Sequence, residues 1–108
     1  MTAFNVERNH NGDAVRVVVA GELDMDTGPR LDEELRRAQS DGHTRVVLDL
    51  TNVTFFDSTG LQIVLDADVR AREDGHELVV VVAGDGEPLR VLRLAEVTDR
   101  LKIEETGA

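Results

Sequence analysis

Hydrophobic and polar residues alternate at the start of the chain, and this pattern predicts a β-hairpin. Phe4 and Val6 alternate with polar residues, which is typical of a strand with one buried face. Residues 9–13 follow, and their Asn-Gly pair supplies the positive φ that a tight turn needs. The apolar segment 15–20 predicts the returning strand, so we expect the chain to open with two antiparallel strands.

A helix is predicted next, because apolar residues recur there at helical spacing. Its buried face is formed by residues at i, i+4 and i+7, namely Leu31, Leu35 and Ala38. Asp26 or Thr27 is expected to cap this helix, and Pro29 suits its first turn. The helix is expected to end at segment 40–43, which reads Ser-Asp-Gly-His.

Two apolar segments, 46–50 and 78–83, predict buried strands. Such strands are either covered on both faces or central in a sheet. A second helix is predicted between them, from about Ser58 to Arg72, and segment 73–76 is expected to end it.

The C-terminal part of the chain predicts a third helix and a packed tail. Pro88 lies near the start of this helix, and Leu89 and Leu92 are expected to face inward. Leu101 and Ile103 are expected to pack the tail against the rest of the molecule.

Strands that alternate with helices after an opening hairpin predict an α/β fold. The sheet is expected to be mixed, with about four to five strands, parallel in its centre and covered by about three to four helices. The 108 residues are expected to form a single domain, 1–108.

Composition and charge narrow the possible functions. The formal net charge is −10, and an acidic surface repels phosphate backbones, so no nucleic acid is expected as a direct partner. A basic protein patch fits this charge, although the same charge also serves solubility alone. The chain has no cysteine, which excludes disulfides and thiolate metal sites. The acidic surface and the lack of a long apolar face favour a monomer.

The sequence contains neither a signal-peptide core nor an apolar run long enough to span a bilayer. We therefore expect a cytoplasmic protein with no membrane partner.

The segment Asp57-Ser58-Thr59-Gly60 lies at a predicted strand-to-helix junction and is the strongest candidate for function. Asp57 or Ser58 is expected to be the N-cap, and Gly60 is expected to permit the close approach of another backbone. Ordinary capping is the alternative interpretation of the same residues. A phosphate on a hydroxyl here would gain from the helix dipole and from free N–H groups, and it would add about −1.5 to −2 charges.

The second helix carries two apolar flanks. The flank expected to face the sheet consists of Gly60, Ile63, Val64, Ala67 and Ala71. The other flank consists of Leu61, Leu65 and Val69. This second flank is expected either to pack against the first or third helix, or to form an exposed binding strip beside Ser58.

The chain resembles the bacterial anti-sigma factor antagonists, which have the STAS fold, over almost its full length. Segment 17–24 is similar to the family's strand that ends in Gly-Glu-Leu-Asp. Segments 46–50 and 53–61 resemble its signature, and the spacing between the blocks also fits. Segment 94–99 departs from the pattern, because Thr98 stands where a glycine-containing turn is expected.

The resemblance implies a partner-switching regulator and not an enzyme. Family members bind an anti-sigma factor that is also a serine kinase of the GHKL type, and thereby free a sigma factor. The kinase inactivates them by phosphorylation, and a serine phosphatase restores them. By position, Ser58 is implied as the phosphoacceptor, with Thr59 as second choice.

Partner contacts are expected from a set of residues around this serine: Glu22, Asp24, Asp57, Ser58, Thr59, Gly60, Leu61 and Leu65. Glu22 and Asp24 would lie on the adjacent loop of the same surface. They are equally suited to be turn and capping residues.

Catalytic and metal chemistry find little support in the sequence. His10, His43 and His76 all fall in predicted turns, where histidines are usually solvated. Neither a nucleophile elbow nor a phosphate loop is present. Four carboxylates could gather near strand ends around a cation, although such carboxylates more often cap helices: Asp24, Asp26, Asp49 and Asp57. No cofactor and no metal is therefore expected.

An alternative function keeps the fold without the phosphorylation switch. The chain would then be a STAS adaptor in a multiprotein complex, either a lipid-transport accessory bound to a membrane ATPase or a stress-sensing scaffold. The hydroxyl of Ser58 favours phospho-regulation, because a scaffold does not need a hydroxyl there.

Overall fold

The computed structural model describes residues 3–107, which form one mixed sheet and three α-helices. The elements are β1 (Asn5–Asn11), β2 (Ala14–Leu23), α1 (Gly28–Ser40), β3 (Arg45–Phe56), α2 (Ser58–Glu73), β4 (Glu77–Ala83), α3 (Glu87–Leu94) and β5 (Lys102–Thr106), with a 3-10 turn at Thr98–Arg100. The predicted α/β class is confirmed. The expected domain 1–108 also includes Met1, Thr2 and Ala108, which lie outside the described residues. Within residues 3–107, no helix is long and apolar enough to cross a membrane.

β1 and β2 form the predicted antiparallel hairpin, but the turn between them is shorter than expected. Strand pairing continues to Asn11 and Ala14, so only Gly12 and Asp13 connect the strands. Gly12 has a φ of 66°, the positive value that a two-residue hairpin turn requires. The expectation that residues 9–11 belong to the turn is therefore wrong, because the ladder to β2 extends over them.

The strands lie in the order β1-β2-β3-β4-β5, and the strands from β2 to β5 are parallel. Each crossover between parallel strands moves the chain one strand further in the same direction across the sheet. Because such crossovers are right-handed, all the connecting helices lie on one face. The buried residues of these helices join a single apolar cluster, with Leu35 from α1, Val64 from α2 and Leu92 from α3. The prediction of central strands is right, whereas helices on both faces are not found within residues 3–107.

The opposite face of the sheet is covered by its own charged side chains. Val79 and Val81 point away from the helices, yet they are only 4% and 3% exposed. Glu77 precedes them on the same face and forms ion pairs with Arg45 of β3 and Lys102 of β5. These long side chains lie across three strands and shield apolar surface that no helix covers.

The C-terminal tail forms a fifth strand at the edge of the sheet. β5 pairs in parallel with β4, and Leu101 just before it is 8% exposed. Ile103 packs against the core cluster, as predicted. The connection from α3 turns at Glu96, which has a φ of 58°, and Thr98 begins the 3-10 turn. The chain therefore makes this turn without a glycine.

Candidate functional site

The carboxyl ends of β2 and β3 lie side by side and position the candidate site. Leu23 pairs with Phe56, and Glu22 pairs with Phe55. The register shifts after Gly21, so that β3 contains one extra residue at this point. As a result, the segment that follows β2 lies next to the start of α2. We call residues 22–27 and 55–61 together the carboxyl-end surface.

Asp24 organises a tight turn at the end of β2. Its Oδ1 accepts hydrogen bonds from the backbone N–H groups of Asp26, at 2.9 Å, and Thr27, at 3.1 Å. The hydroxyl of Thr27 donates to the carbonyl of Glu22 at 2.8 Å and accepts from the N–H of Asp24 at 2.9 Å. The hydrogen bond from the backbone of Thr27 is the main reason why the pKa of Asp24 lies below its usual value. Asp24 is therefore a charged turn residue at neutral pH.

This turn changes the predicted capping of α1. Thr27 occupies the N-cap position, but no side chain forms a capping hydrogen bond at this helix start. The hydroxyl of Thr27 already bonds to the Asp24 turn, and Pro29 lies in the first turn, as predicted. The predicted N-cap position of Thr27 is therefore confirmed, whereas the capping hydrogen bond expected from its side chain is not formed. The expected inner face of α1, Leu31, Leu35 and Ala38, is buried.

The start of α2 presents two hydroxyl groups with different surroundings. Asp57 is the N-cap, and its Oδ1 accepts a 2.9 Å hydrogen bond from the backbone N–H of Thr59. Ser58 is the first helical residue and is exposed. Thr59 is half-buried and faces α1, where an added Cβ at Gly28 would lie only 2.8 Å from Thr59 Cγ2. Solvent and partners can therefore reach Ser58 more easily than Thr59.

Gly60 allows the core to pack directly beneath the start of α2. A Cβ at this position would lie 2.7 Å from Cε1 of Phe56 and 3.0 Å from Cδ2 of Leu23. Both neighbours are buried, at 3% and 0% exposure, so neither can move freely. The expectation that Gly60 admits another backbone is wrong, since the groups that approach it are side chains of β2 and β3.

The two flanks of α2 differ in burial. The sheet-facing flank is buried at Gly60, Val64, Ala67 and Ala71 and half-buried at Ile63. Leu61 and Leu65 are half-buried and pack in part against the core cluster, whereas Val69 is 43% exposed. Helical spacing places Leu61 and Leu65 at i+3 and i+7 from Ser58, on its side of the helix. The flank is therefore partly covered by the core and partly exposed, and its role as a binding strip stays a prediction.

Two exposed apolar side chains of the carboxyl-end surface were missed in the sequence. Met25 is 78% exposed, and Phe55 is 43% exposed. Met25 also lines a shallow groove with Pro29, Thr59 and Ile63 between α1 and α2. The alternation of side chains along a strand could have predicted that Phe55 is exposed, because only one of two consecutive phenylalanines can point into the core. The exposure of Met25 depends on the tight Asp24 turn, which periodicity does not describe.

The four aspartates considered for a cation site do not come together, and each makes its own contacts. Asp24 and Asp57 hold the two turns of the carboxyl-end surface, whereas Oδ2 of Asp49 lies 2.7 Å from Nη2 of Arg16 on the open face of the sheet. Asp26 contributes its backbone N–H to the Asp24 turn. Among residues 3–107, these four do not form a group that could share an ion.

The histidines are placed away from the carboxyl-end surface. His10 was predicted to lie in a turn, but it lies in β1. It contacts His43 at the opposite end of the sheet. His76 lies in the loop that precedes β4, in agreement with the prediction.

Comparison with known proteins gives consistent matches over most of the chain. The family model described as "Mlab, STAS domain" matches residues 6–104. The anti-sigma-B factor antagonist of Staphylococcus aureus (strain NCTC 8325 / PS 47) is 33% identical over 95 residues, which cover 88% of this chain and 84% of that protein.

Solved structures show the same fold. The crystal structure of an anti-sigma factor antagonist from Mycobacterium paratuberculosis matches with a TM-score of 0.82 and 24% identity, over 96% of this chain and 87% of that one. The structure of the Bacillus cell fate determinant SpoIIAA in its phosphorylated form matches with a TM-score of 0.69 and 18% identity, over 97% and 92% of the two chains.

Proposed function

This chain belongs to the STAS-domain family of anti-sigma factor antagonists, and we propose that it binds an anti-sigma factor in the cytoplasm and thereby releases a sigma factor. The Staphylococcus aureus relative is named for this role. Such a protein is a regulator that acts through binding and not through catalysis. The anti-sigma factor is proposed to be a serine kinase of the GHKL type.

Phosphorylation of Ser58 by this kinase is proposed to switch the binding off, and a serine phosphatase to restore it. The observation that carries this proposal is the difference in access between the two hydroxyls. Ser58 is exposed at the first residue of α2, whereas Thr59 is half-buried against α1. The phosphorylated SpoIIAA structure supports the idea that this fold can carry such a group.

The helix start can accommodate a phosphate on Ser58 without unfolding. The first N–H groups of a helix have no partners within the helix, and the Asp57 carboxylate occupies only that of Thr59. A phosphate here also lies at the favourable end of the helix dipole. The added charge is therefore expected to act on the partner and to leave the fold intact.

The partner surface is proposed to combine apolar anchors with an acidic rim. Met25 and Phe55 are exposed apolar groups, and the outer sides of Leu61 and Leu65 lie on the Ser58 side of α2. The rim is proposed to be formed by the predicted polar contacts, Glu22, Asp24, Asp57, Ser58 and Thr59, with Gly60 shaping the helix start. A basic patch on the kinase suits this charge. Phosphorylation would place a strongly hydrated dianion in the middle of this contact.

The test is phosphorylation with candidate anti-sigma kinases and ATP, followed by intact mass and fragment-ion mapping. We expect one phosphate on the wild-type chain and on Thr59→Val, which keeps the packing against α1, but none on Ser58→Ala. Ser58→Ala should bind the kinase as the wild type does, whereas Ser58→Asp should bind at least about tenfold more weakly. A phosphate that persists on Ser58→Ala would refute the assignment.

Size-exclusion chromatography with light scattering tests the proposed monomer. A single species with the mass of one chain of 11.9 kDa is expected.

A second candidate function is an adaptor without a phosphorylation switch. It is favoured by the description of the matching family model, which names Mlab. As a lipid-transport accessory, the chain would bind a membrane ATPase through the same carboxyl-end surface. Co-purification of an ATPase, with no phosphate transferred by any kinase, would support this function and oppose the first.

A further inference from the structure

His10, Asp41 and His43 come together at the end of the sheet opposite Ser58. His10 is the penultimate residue of β1, Asp41 is the C-cap of α1, and His43 lies in the loop before β3. Nδ1 of His10 lies 3.1 Å from Nε2 of His43. One ligand atom from each of the three residues, a ring nitrogen of each histidine and a carboxylate oxygen of Asp41, lies within 4.8 Å of the other two. Three separate segments therefore present metal-ligating atoms to one point.

The separation of the two imidazole nitrogens fits a tetrahedral ion between them, and it equally fits a hydrogen bond between the rings. Two ligands held at about 2.0–2.1 Å from a tetrahedral zinc ion are about 3.3 Å apart, close to the 3.1 Å between the two imidazole nitrogens. The rings are tilted by 45° with their centroids 5.0 Å apart, so they meet at their nitrogens and do not stack. Asp41 is exposed, and a rotation of its side chain can close the third contact.

We propose that His10, Asp41 and His43 bind a divalent transition-metal ion of the zinc class, with water as the fourth ligand. Two imidazoles and one carboxylate favour such ions over magnesium or calcium, which prefer sets of oxygen ligands. The bound ion joins the β1–β2 hairpin to the α1–β3 loop. Because the unfolded chain does not bring these residues together, the ion stabilises the folded state.

The test uses the full chain without a histidine tag, which would itself bind zinc. Titration calorimetry with zinc chloride is expected to give one ion per chain, and thermal unfolding is expected to move to higher temperature with zinc but not with magnesium chloride. His10→Gln, His43→Gln and Asp41→Asn should each lower the zinc affinity at least about tenfold. His76→Gln is the matched control and should bind zinc as the wild type does.

Each remaining outcome overturns the proposal. Zinc binding that is unchanged in both His10→Gln and His43→Gln would place the ion elsewhere. One ion per two chains, with a doubled mass in light scattering, would mean a bridge between molecules and not a site within one chain. No binding heat and no change in the unfolding temperature would show that the two histidines form only a hydrogen bond. Equal unfolding temperatures of all variants in EDTA verify that each has folded.

Discussion

The carboxylate of Asp57 accepts a 2.9 Å hydrogen bond from the backbone N–H of Thr59 and so fixes the backbone on both sides of Ser58. Asp57→Ala removes this cap and is expected to lower the free energy of unfolding by about 1 kcal/mol. Asp57→Asn keeps an oxygen acceptor without the charge and should stay close to the wild type. Urea unfolding of the three proteins measures this difference. If both variants lose the same stability, the charge and not the cap is what matters.

Gly60→Ala is expected to lower the free energy of unfolding by about 1–3 kcal/mol, because the new methyl group overlaps the ring of Phe56. Phe56→Leu in the same chain removes the overlapping ring atoms. The double variant should therefore lose less than the sum of the two single variants, as measured by urea unfolding. Strictly additive losses would contradict the close contact between these two residues.

Asp49 gives the stability a defined dependence on pH. Burial opposes its ionisation, but hydrogen bonds from Thr51 and Arg16 outweigh burial and lower its pKa. Because its pKa is lower in the folded state, the ionised Asp49 carboxylate stabilises the fold, and this stability is fully present above its unfolded-state pKa of about 3.9. The stability is lost as the pH falls through the pKa of the folded state. Asp49→Asn is expected to cost about 1–3 kcal/mol at neutral pH.

The cost of Asp49→Asn should shrink in unfolding experiments below about pH 4, where the Asp49 carboxylate of the unfolded chain takes up a proton before that of the folded chain. Asp85→Asn, in an exposed loop, is the control and should change the free energy of unfolding by less than about 0.5 kcal/mol. A cost of Asp49→Asn that stays constant down to pH 2 would contradict the role assigned to the charge.

Met25 is expected to contribute to partner binding and little to stability, because 78% of it is exposed. Met25→Asp should lower the affinity for the anti-sigma kinase by at least about tenfold, while the free energy of unfolding changes by less than about 0.5 kcal/mol. Met25→Leu keeps an apolar side chain and should retain most of the affinity. Calorimetric titration of both variants compares them, and equal binding by Met25→Asp would exclude Met25 from the contact.

The regular elements followed from the sequence because their causes are local. Apolar spacing placed the buried faces of α1 and α3, and Asp57 marked the start of α2. Two departures arose where tertiary contacts decide. The hairpin turn is shorter than its turn-like composition indicates because pairing with β2 extends β1, and the tail becomes β5 because the edge of β4 offers partners.

The candidate site was less predictable than the fold. The segment around Ser58 carries a recognisable motif, but the choice between Ser58 and Thr59 depends on the packing of α1 against α2. The need for a glycine at position 60 depends on side chains of β2 and β3 that pack against it. The meeting of His10 and His43 depends on two segments 33 residues apart, which no local pattern connects.

The sequential order of the strands bears on how the molecule is made. Each strand pairs with the one synthesised just before it, so no later segment has to be inserted between strands that already pair. A chain that emerges from the ribosome can add the sheet one strand at a time, starting from the hairpin, and cover each addition with the helix that connects it. Until β5 is added, the edge of β4 stays open and can pair with another nascent chain.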